Sequence, residues 1–419
     1  MKCNKVLQIW FAILFNLLTA SALAEVSLKE ILLIALERDP SLDEARANIL
    51  MAESQTKISE AGHEPVISLV NTGVLAQKHT NSSNRRSGPS VMGRINLYSW
   101  GAIESEIERD KYKEDFFRYK FYEIREQLGQ QIGSLYLAAL RAKENISIYK
   151  ESLQRHEKMI KELKVIVTYD EGRISELNEA LSRRNQVEST LLQYERTMYN
   201  ALSRLSRYTP KNLMPADLVD PFLNVSAEHF IAKYRNSNIQ SNPTFVAQKK
   251  EFEAARADAN SVKARRLPAI NLEGSASRRE REVYINMSWD LYNPASKYQE
   301  RNSYYSQKAA EARMQEIELE VAQQAHTAEI DMVHNQQLAK VAHKQIALQK
   351  NVVTDTELQF QIAMKSLLNV LDAYQELTTV QATEIAARND FRDAALLYLV
   401  SQARVSVWSG IAPLSLDKE

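Results

Sequence analysis

One structural plan occurs twice in this chain, and this internal repeat constrains the fold more than any other feature of the sequence. A helical pattern runs from Pro40 to Pro65, and a second pattern of equal length runs from Pro243 to Pro268. Each is followed by an alternating, strand-like segment and then by a very long helical pattern. Because repeats determine the architecture, each half is predicted to contain a helix, a β-hairpin and two long helices.

Composition limits the class of protein. The chain has 419 residues with only 10 Gly and 10 Pro, so its elements must be long. Basic and acidic residues balance at 53 each. This balance leaves no basic face for nucleic acid, which is therefore not an expected partner. The mean hydropathy of −0.39 is too low for a helical-bundle membrane protein.

The N-terminus predicts export. Residues 1–24 combine Lys2 and Lys5 with an apolar run and the A-x-A sequence at 22–24, which is typical of a secretory signal peptide. A membrane anchor is the alternative, but the apolar run is short for spanning a bilayer. Cys3 is the only cysteine and lies before that run. The mature chain is therefore predicted to lack disulfides and cysteine metal sites.

Two β-hairpins are predicted. The first spans about 66–98, with a polar tip at 81–89, and the second spans about 269–291, with a turn region at 275–281. The return strand of the second is the clearest in the chain, because five apolar residues alternate strictly with other residues. They are Val283, Ile285, Met287, Trp289 and Leu291.

The long helical patterns keep steps of three and four residues, which are typical of coiled coils. The first, at 102–167, would be roughly 100 Å long as a helix; it turns at 169–175 and returns. The second runs from 294 to about 360, turns at 361–366 and returns to about 408. The apolar seam of the first is predicted at Leu128, Ile132, Leu135, Ala139, Ala142, Ile146, Tyr149, Leu153, His156, Ile160, Leu163 and Val167.

The predicted organisation follows from these patterns. In order, the segments are a signal peptide at 1–24, a first repeat at 25–206, a proline-containing linker at 207–226, a second repeat at 227–409 and a short tail at 410–419. Within the repeats, helical hairpins are predicted at about 101–206 and 295–409.

The strands suggest a membrane. Each predicted strand has about ten residues, enough to cross a bilayer at a tilt. Four strands cannot close a barrel, and lipid does not tolerate open edges. If the strands lie in a membrane, several chains must therefore share one barrel, as in an outer membrane. The alternative is a small soluble β-domain beside a coiled coil.

These features together resemble the outer-membrane efflux proteins, the TolC-like channel-tunnels, over nearly the whole mature sequence. The resemblance depends on the repeated plan and on the order and spacing of short motifs. The motifs are SLKEILLIALERDPSL, HEPVISL, RLPAINL, LYSWGA, LYNPAS, YDEGRISELNEA and FQIAMKSLLNVLDA. It implies a mainly α protein with transmembrane β structure: a homotrimer with a twelve-stranded β-barrel in the outer membrane and a twelve-helix α-barrel in the periplasm.

The family is not enzymatic and needs no cofactor. The resemblance implies a passive exit duct for a tripartite efflux pump or a type I secretion system. The implied partners are a periplasmic adaptor, an inner-membrane ABC or proton-driven transporter, and outer-membrane lipid. The helix turns would form the periplasmic entrance. The turn residues that would contact the adaptor are Gly172, Arg173, Ser175, Ala363 and Ser366.

The resemblance also assigns a gate, and this chain departs from the family there. The family's two aspartates are matched by Asn369 and Asp372, so one ring of three carboxylates would remain. The closing aromatic is matched by Phe360, which has no hydroxyl, and a basic position by Lys365. The second turn has Ala363 where the family has Gly. We therefore expect a weaker polar lock, carried by the second helical hairpin.

Four aromatic residues flank the predicted strands: Tyr98, Trp100, Trp289 and Tyr292. Aromatic rings favour the headgroup level of a membrane, so these are expected at the interface; packing where strand turns into helix is compatible with that role.

The main alternative function is a periplasmic coiled-coil adaptor or scaffold of an export complex. An adaptor usually has one helical hairpin, whereas two are predicted here. The sequence has no HExxH, P-loop or G-x-S-x-G motif, so neither an enzyme nor a metal site is expected.

Overall fold

The structure is a computed structural model, which describes residues 27–75, 88–211, 213–236, 238–278 and 280–411. The predicted signal peptide, most of the first hairpin tip and most of the tail lie outside the described residues.

Both halves of the chain share one order of elements, and the second half adds a short final helix. In the first half, helices α1 (Leu28–Arg38) and α2 (Pro40–Glu60) precede strands β1 (Val66–Thr72) and β2 (Gly88–Tyr98) and helices α3 (Ala102–Tyr169) and α4 (Ile174–Leu205). In the second half, helices α5 (Ala227–Tyr234) and α6 (Pro243–Ala264) precede strands β3 (Ala269–Ser277) and β4 (Arg281–Ser288) and helices α7 (Pro294–Gln361), α8 (Leu367–Ser401) and α9 (Val405–Ser409).

The chain forms two compact units, and each takes segments from both halves. The first, the helix-turn unit, comprises Met1–Asp39, Glu126–Arg235 and Gln324–Glu419. The second, the sheet unit, comprises Pro40–Arg125 and Asn236–Gln323. The division by contacts therefore crosses the division by sequence repeat.

The sheet unit contains one antiparallel sheet in the order β1-β2-β3-β4. The ladder between β3 and β4 is longer near the turn than predicted, because Ser275 and Ala276 pair with Glu282 and Arg281. The predicted turn region at 275–281 is therefore too long. The predicted end of β4 at Leu291 is also wrong. The last pair joins Ala269 to Ser288, and Pro268, the residue before this pair, has no N–H to extend the ladder.

The helix-turn unit buries the predicted seam of α3, whose residues are all buried or half-buried. Two glycines let other helices approach α3 closely. A Cβ on Gly129 would lie 2.6 Å from Val405 Cγ1, and one on Gly133 would lie 2.6 Å from Leu396 Cδ2. The same face also buries Tyr136, a residue outside the predicted seam.

The return helix predicted to reach about 408 is instead interrupted. Helix α8 ends at Ser401, and Ala403 adopts a left-handed backbone with φ 53°. The carboxylate of Glu126 then accepts the backbone N–H groups of Val405 (2.7 Å) and Ser406 (3.2 Å). These bonds satisfy free N–H groups at the start of α9 and fix the break.

Ion pairs and hydrogen bonds of buried polar groups hold the linker at 207–226 against the helices. Arg392, only 1% exposed, forms ion pairs with Glu144 of α3 (2.9 Å) and Asp220 of the linker (2.7 Å). The Tyr136 hydroxyl accepts the N–H of Val219 and donates to its carbonyl, both at 2.8 Å. A buried guanidinium needs such partners, because an unpaired buried charge is costly.

Candidate functional site

The four helices that flank the two helix turns pack around one apolar core, which we call the turn cluster. Its buried members are Met159, Ile160, Leu163, Ala180, Val353, Phe360, Leu367, Val370, Leu371, Ala373, Tyr374 and Leu377. They come from α3, α4, α7 and α8. The turn cluster therefore joins the two helical hairpins, and it brings the predicted gate residues close to the first turn.

The first turn is short and mostly exposed. Helix α3 ends at Tyr169, and the Asp170 side chain accepts the N–H of Gly172 at 3.1 Å. Arg173 forms an ion pair with Glu176 at 2.6 Å. Gly172 and Ser175 are exposed, and Arg173 is half-buried.

The second turn uses a left-handed residue and a capping amide. Ala363 has φ 59°. The side-chain oxygen of Asn369 accepts the N–H of Ser366 (3.1 Å) and its hydroxyl (2.8 Å) at the start of α8. Such a contact satisfies donors that the helix itself leaves free. Asn369 therefore has a capping role at the position where the resemblance expects a gate carboxylate.

The other predicted gate residues differ in exposure. The Phe360 ring is 8% exposed, and the Arg173 guanidinium lies over it, 5.6 Å from the ring centre. Asp372 has a side chain 59% exposed and lies 3.5 Å from Arg183 of α4. Lys365, Ala363 and Ser366 are exposed. The structure thus brings Phe360 to Arg173 and Asp372 to Arg183, and each pair joins the two hairpins.

A polar group that the sequence analysis missed lies inside the turn cluster. The Tyr374 hydroxyl donates a hydrogen bond to Glu357 of α7. Its ring, 1% exposed, meets the His156 ring edge-on at 5.4 Å, and the Arg155 guanidinium lies 6.0 Å from its centre. Tyr374 belongs to the apolar steps of α8, at the spacing Leu367, Val370, Leu371, Tyr374, Leu377, and this signal could have identified it.

Burial governs the titration of these groups. Burial, and then the hydrogen bond to Glu357, raises the pKa of the Tyr374 hydroxyl. Burial lowers the pKa of His156, whose Nδ1 donates to the Ser152 carbonyl at 2.8 Å. Both groups are therefore held in their neutral forms. The burial of His156 agrees with its predicted place in a packed seam.

The sheet has one mainly apolar and one mainly polar face, as the register determines. Asn71 and Arg281 lie on the first, and Val66, Val70 and Met92 lie on the second. On one face lie Ile67, Leu69, Val91, Ile95, Ile270, Leu272, Val283, Ile285 and Met287. Many of these are exposed, with Leu69 and Val283 each 75% exposed and Ile285 67%. On the other face lie Ser68, Ser90, Arg94, Asn96, Asn271, Glu273, Ser275, Glu282, Tyr284 and Asn286.

The predicted interfacial aromatics lie beside the sheet. The indole of Trp100 donates to the Pro268 carbonyl at 2.8 Å, and the indole of Trp289 donates to the Arg266 carbonyl at 3.1 Å. Tyr98 packs edge-on against Trp100 at 5.1 Å, and Tyr292 is 88% exposed. The indoles fix the chain where it enters β3, and their rings remain about half-exposed. Their place at a membrane interface remains a prediction.

The described part of the chain contains neither a membrane-spanning helix nor a cluster of metal-binding side chains. No helix there is long and apolar enough to cross a membrane. Within the same residues, no group of three or more His, Cys, Asp or Glu side chains is arranged to hold a metal ion.

Comparisons with known proteins give the fold. Neither a family model nor a curated protein matches the sequence. Among solved structures, the outer-membrane channel OprN is 14% identical, with a TM-score of 0.76 over 91% of this chain and 90% of that one.

The outer membrane protein VceC of Vibrio cholerae is 14% identical, with a TM-score of 0.75 over 90% of this chain and 96% of that one. The open state of the Neisseria gonorrhoeae MtrE outer membrane channel is 15% identical, with a TM-score of 0.70 over 90% and 88%. The chain therefore has the fold of the TolC-like outer-membrane channels, and the resemblance inferred from its sequence is confirmed at the level of the fold.

Proposed function

We propose that this protein is an outer-membrane exit duct, in which three copies share one β-barrel and continue it as a periplasmic α-barrel. The observation that carries the proposal is the two-faced sheet. Its apolar face is largely exposed and its opposite face is polar. A soluble sheet would cover the apolar face, whereas a membrane barrel directs it to lipid and its polar face to a water-filled lumen.

The edges of the sheet support a shared barrel. Among the described residues, β1 and β4 each pair with a single strand, so both edges are open. In hydrocarbon every backbone N–H and C=O needs a partner. Pairing β4 of one copy with β1 of the next would satisfy them, and three copies of a four-stranded sheet give twelve strands. The fold shared with outer-membrane channels favours this assembly.

The helices support the same assembly. An exposed apolar stripe runs along α7 with helical spacing, at Leu338, Val341, Leu348 and Val352, which are 46–67% exposed. An amphipathic helix buries such a stripe against a neighbour. Helices of an adjacent copy would cover it, and the four long helices of each copy would give a twelve-helix wall.

The duct is proposed to be passive, without catalysis or cofactor. The turn residues Gly172, Arg173, Ser175, Ala363 and Ser366 are proposed to contact a periplasmic adaptor, which would connect the duct to an inner-membrane ABC or proton-driven transporter. Each copy offers one gate carboxylate, Asp372, and Arg183 offsets part of its charge. The entrance is therefore proposed to be less acidic than the family pattern implies.

Membrane extraction tests the proposal against the adaptor alternative. The mature protein is expected to stay with outer membranes through salt and carbonate washes and to leave them only in detergent, as a trimer. Release by either wash, or a monomer in detergent, would refute the duct and favour the adaptor.

A matched pair of variants tests the two faces. Ile285→Lys places a charge on the apolar face, and Asn286→Lys places the same charge on the polar face one residue away. A lysine facing lipid costs about 2–4 kcal/mol near the middle of the bilayer. Membrane assembly is expected to fail in the first variant and survive in the second. Equal behaviour of the two would contradict a barrel.

A further inference from the structure

The polar face of the sheet is arranged in rows that cross the strands. The strand register aligns Asn96, Asn271 and Asn286 in one row, here the asparagine row. The next row, here the charged row, contains Arg94, Glu273 and Tyr284. The row beyond it, nearer the β3–β4 turn, contains Met92, Ser275 and Glu282. In a closed barrel of tilted strands, each row would give three equivalent arcs on the lumen wall, one from each copy.

The charged row holds its carboxylate in place. Glu273 is half-buried, and both of its oxygens accept hydrogen bonds: Oε2 from the Tyr284 hydroxyl at 3.0 Å, and Oε1 from Asn286 Nδ2 at 3.2 Å. The asparagine row is also hydrogen-bonded across the strands, because Asn96 donates to Asn271 at 3.0 Å. A carboxylate with two donors cannot swing away from its row, and part of its charge is satisfied locally.

Arg94, the neighbour of Glu273 across the strands, is exposed. In the described residues no carboxylate lies within salt-bridge distance of its guanidinium. The row also carries Arg94 and Tyr284, the two longest side chains of the polar face, so it would be the narrowest level of a lumen formed by these strands. A free cation and a bonded carboxylate thus meet at the narrowest level.

We propose that the charged row selects small solutes by charge: Arg94 favours anions, and Glu273 moderates this preference. The inference depends on the proposed function, because it requires the polar face to line a lumen. Opposite charges at one level act in opposite directions on a passing ion. Their effect is strong where the passage is narrow, because the charges are then only weakly screened by solvent. The exposed guanidinium dominates because the carboxylate already has two donors.

Thiol labelling tests whether the charged row selects solutes by charge. The only cysteine, Cys3, lies in the predicted signal peptide, so Asn271→Cys gives the mature chain a single thiol one row beyond the charged row, as seen from the hairpin turn. Intact cells are treated with a cationic trimethylammonium or an anionic sulfonate methanethiosulfonate reagent, and the ratio of the two labelling rates is measured. The thiolate fraction affects both reagents equally and leaves the ratio unchanged.

Adding Arg94→Gln is expected to raise the cationic-to-anionic ratio several-fold, and adding Glu273→Gln is expected to lower it. Arg278→Gln removes the same charge at the β3–β4 turn, outside the row, and should leave the ratio unchanged. Ratios that do not respond, or that move in the same direction in both row variants, would overturn the inference. If neither reagent labels the thiol, the proposed function would be overturned instead, because the polar face would then not line an open lumen.

Discussion

The two helix turns occupy matched places in the sequence but differ in how they are held. Tyr169 precedes Gly172 by the same number of residues as Phe360 precedes Ala363. Tyr169 is 88% exposed, whereas Phe360 is 8% exposed and lies under the guanidinium of Arg173. The second turn is therefore seated in the turn cluster, while the first turn remains at its surface. If these turns form the entrance of the proposed duct, this difference predicts that its closure depends mainly on the second turn.

The backbone shows a second difference. Gly172 does not adopt a positive φ, whereas Ala363 does, at 59°. The turn that has a glycine does not use its freedom, and the turn that has an alanine carries the strained conformation.

Truncating the aromatic residues is the largest test of this comparison. Phe360→Ala should lower the free energy of unfolding by about 3 kcal/mol, because it removes a buried ring and leaves a cavity. Tyr169→Ala should change it by less than about 0.5 kcal/mol. Urea unfolding of the detergent-solubilised protein, followed by circular dichroism, measures both. Similar losses in the two variants would contradict the asymmetry.

A Tyr374 variant tests whether the hydrogen bond from its hydroxyl to Glu357 stabilises the second helical hairpin. Tyr374→Phe should cost about 1–2 kcal/mol, because Glu357 loses its donor in a partly buried place. Because Tyr374→Phe keeps the ring and its contact with His156, the loss reports on the hydroxyl alone. An unchanged stability of Tyr374→Phe would show that the bond to Glu357 contributes nothing.

The same hydroxyl predicts a pH dependence. Its pKa is raised in the folded state, by burial first and then by Glu357. Its contribution is therefore complete below the unfolded pKa of about 10 and is lost as pH rises above that value. The stability difference between wild type and Tyr374→Phe should shrink above about pH 10. A difference that grows there would reverse the assigned sign.

Exchanging the glycine and the alanine has a smaller expected effect. Ala363→Gly should stabilise the protein by about 0.5–1 kcal/mol, because it relieves a left-handed alanine at some entropic cost. Gly172→Ala should be nearly neutral, since the added Cβ would meet only Asp170 Oδ1, at 3.1 Å. The shift in the urea midpoint measures both, and destabilisation by Ala363→Gly would contradict strain at this turn.

The smallest expected effect on stability comes from Asp372. Its pair with Arg183 is partly exposed, so Asp372→Ala should cost less than about 0.5 kcal/mol. If three copies place this carboxylate around the entrance, the variant should nevertheless reduce block by divalent cations in planar bilayers. Unchanged conductance and block would refute an Asp372 ring.

Much of the fold was predictable from the repeat, because helix and strand periods leave strong patterns. Helix α7 was predicted at 294 to about 360 and ends at Gln361. The ends of elements were less predictable. The break between α8 and α9 depends on a carboxylate nearly 280 residues away in sequence, Glu126, and the end of β4 depends on the partner strand beginning after Pro268.

The candidate site was predictable only in part, because its roles depend on contacts between hairpins. Asn369 and Asp372 lie at the start of α8, directly after the predicted turn, but their partners Ser366 and Arg183 are set by helix geometry and packing. The spacing of Tyr374 predicts a core position, but it does not predict that the hydroxyl bonds to Glu357 of another helix. The rows of the polar face follow from the register, which sequence alternation alone does not provide.

Crosslinking of the sheet edges tests the central claim most directly. Ser68 on β1 and Glu282 on β4 lie at opposite edges of the sheet. Strand tilt staggers the register between neighbouring copies of a barrel, so the crosslinker must be long enough to span that stagger. In outer membranes, Ser68→Cys/Glu282→Cys treated with a flexible bismaleimide should give covalent species of two and three chains and none larger. Single variants should not give the three-chain species. Monomers alone, or an open ladder beyond three chains, would contradict a barrel closed by three copies.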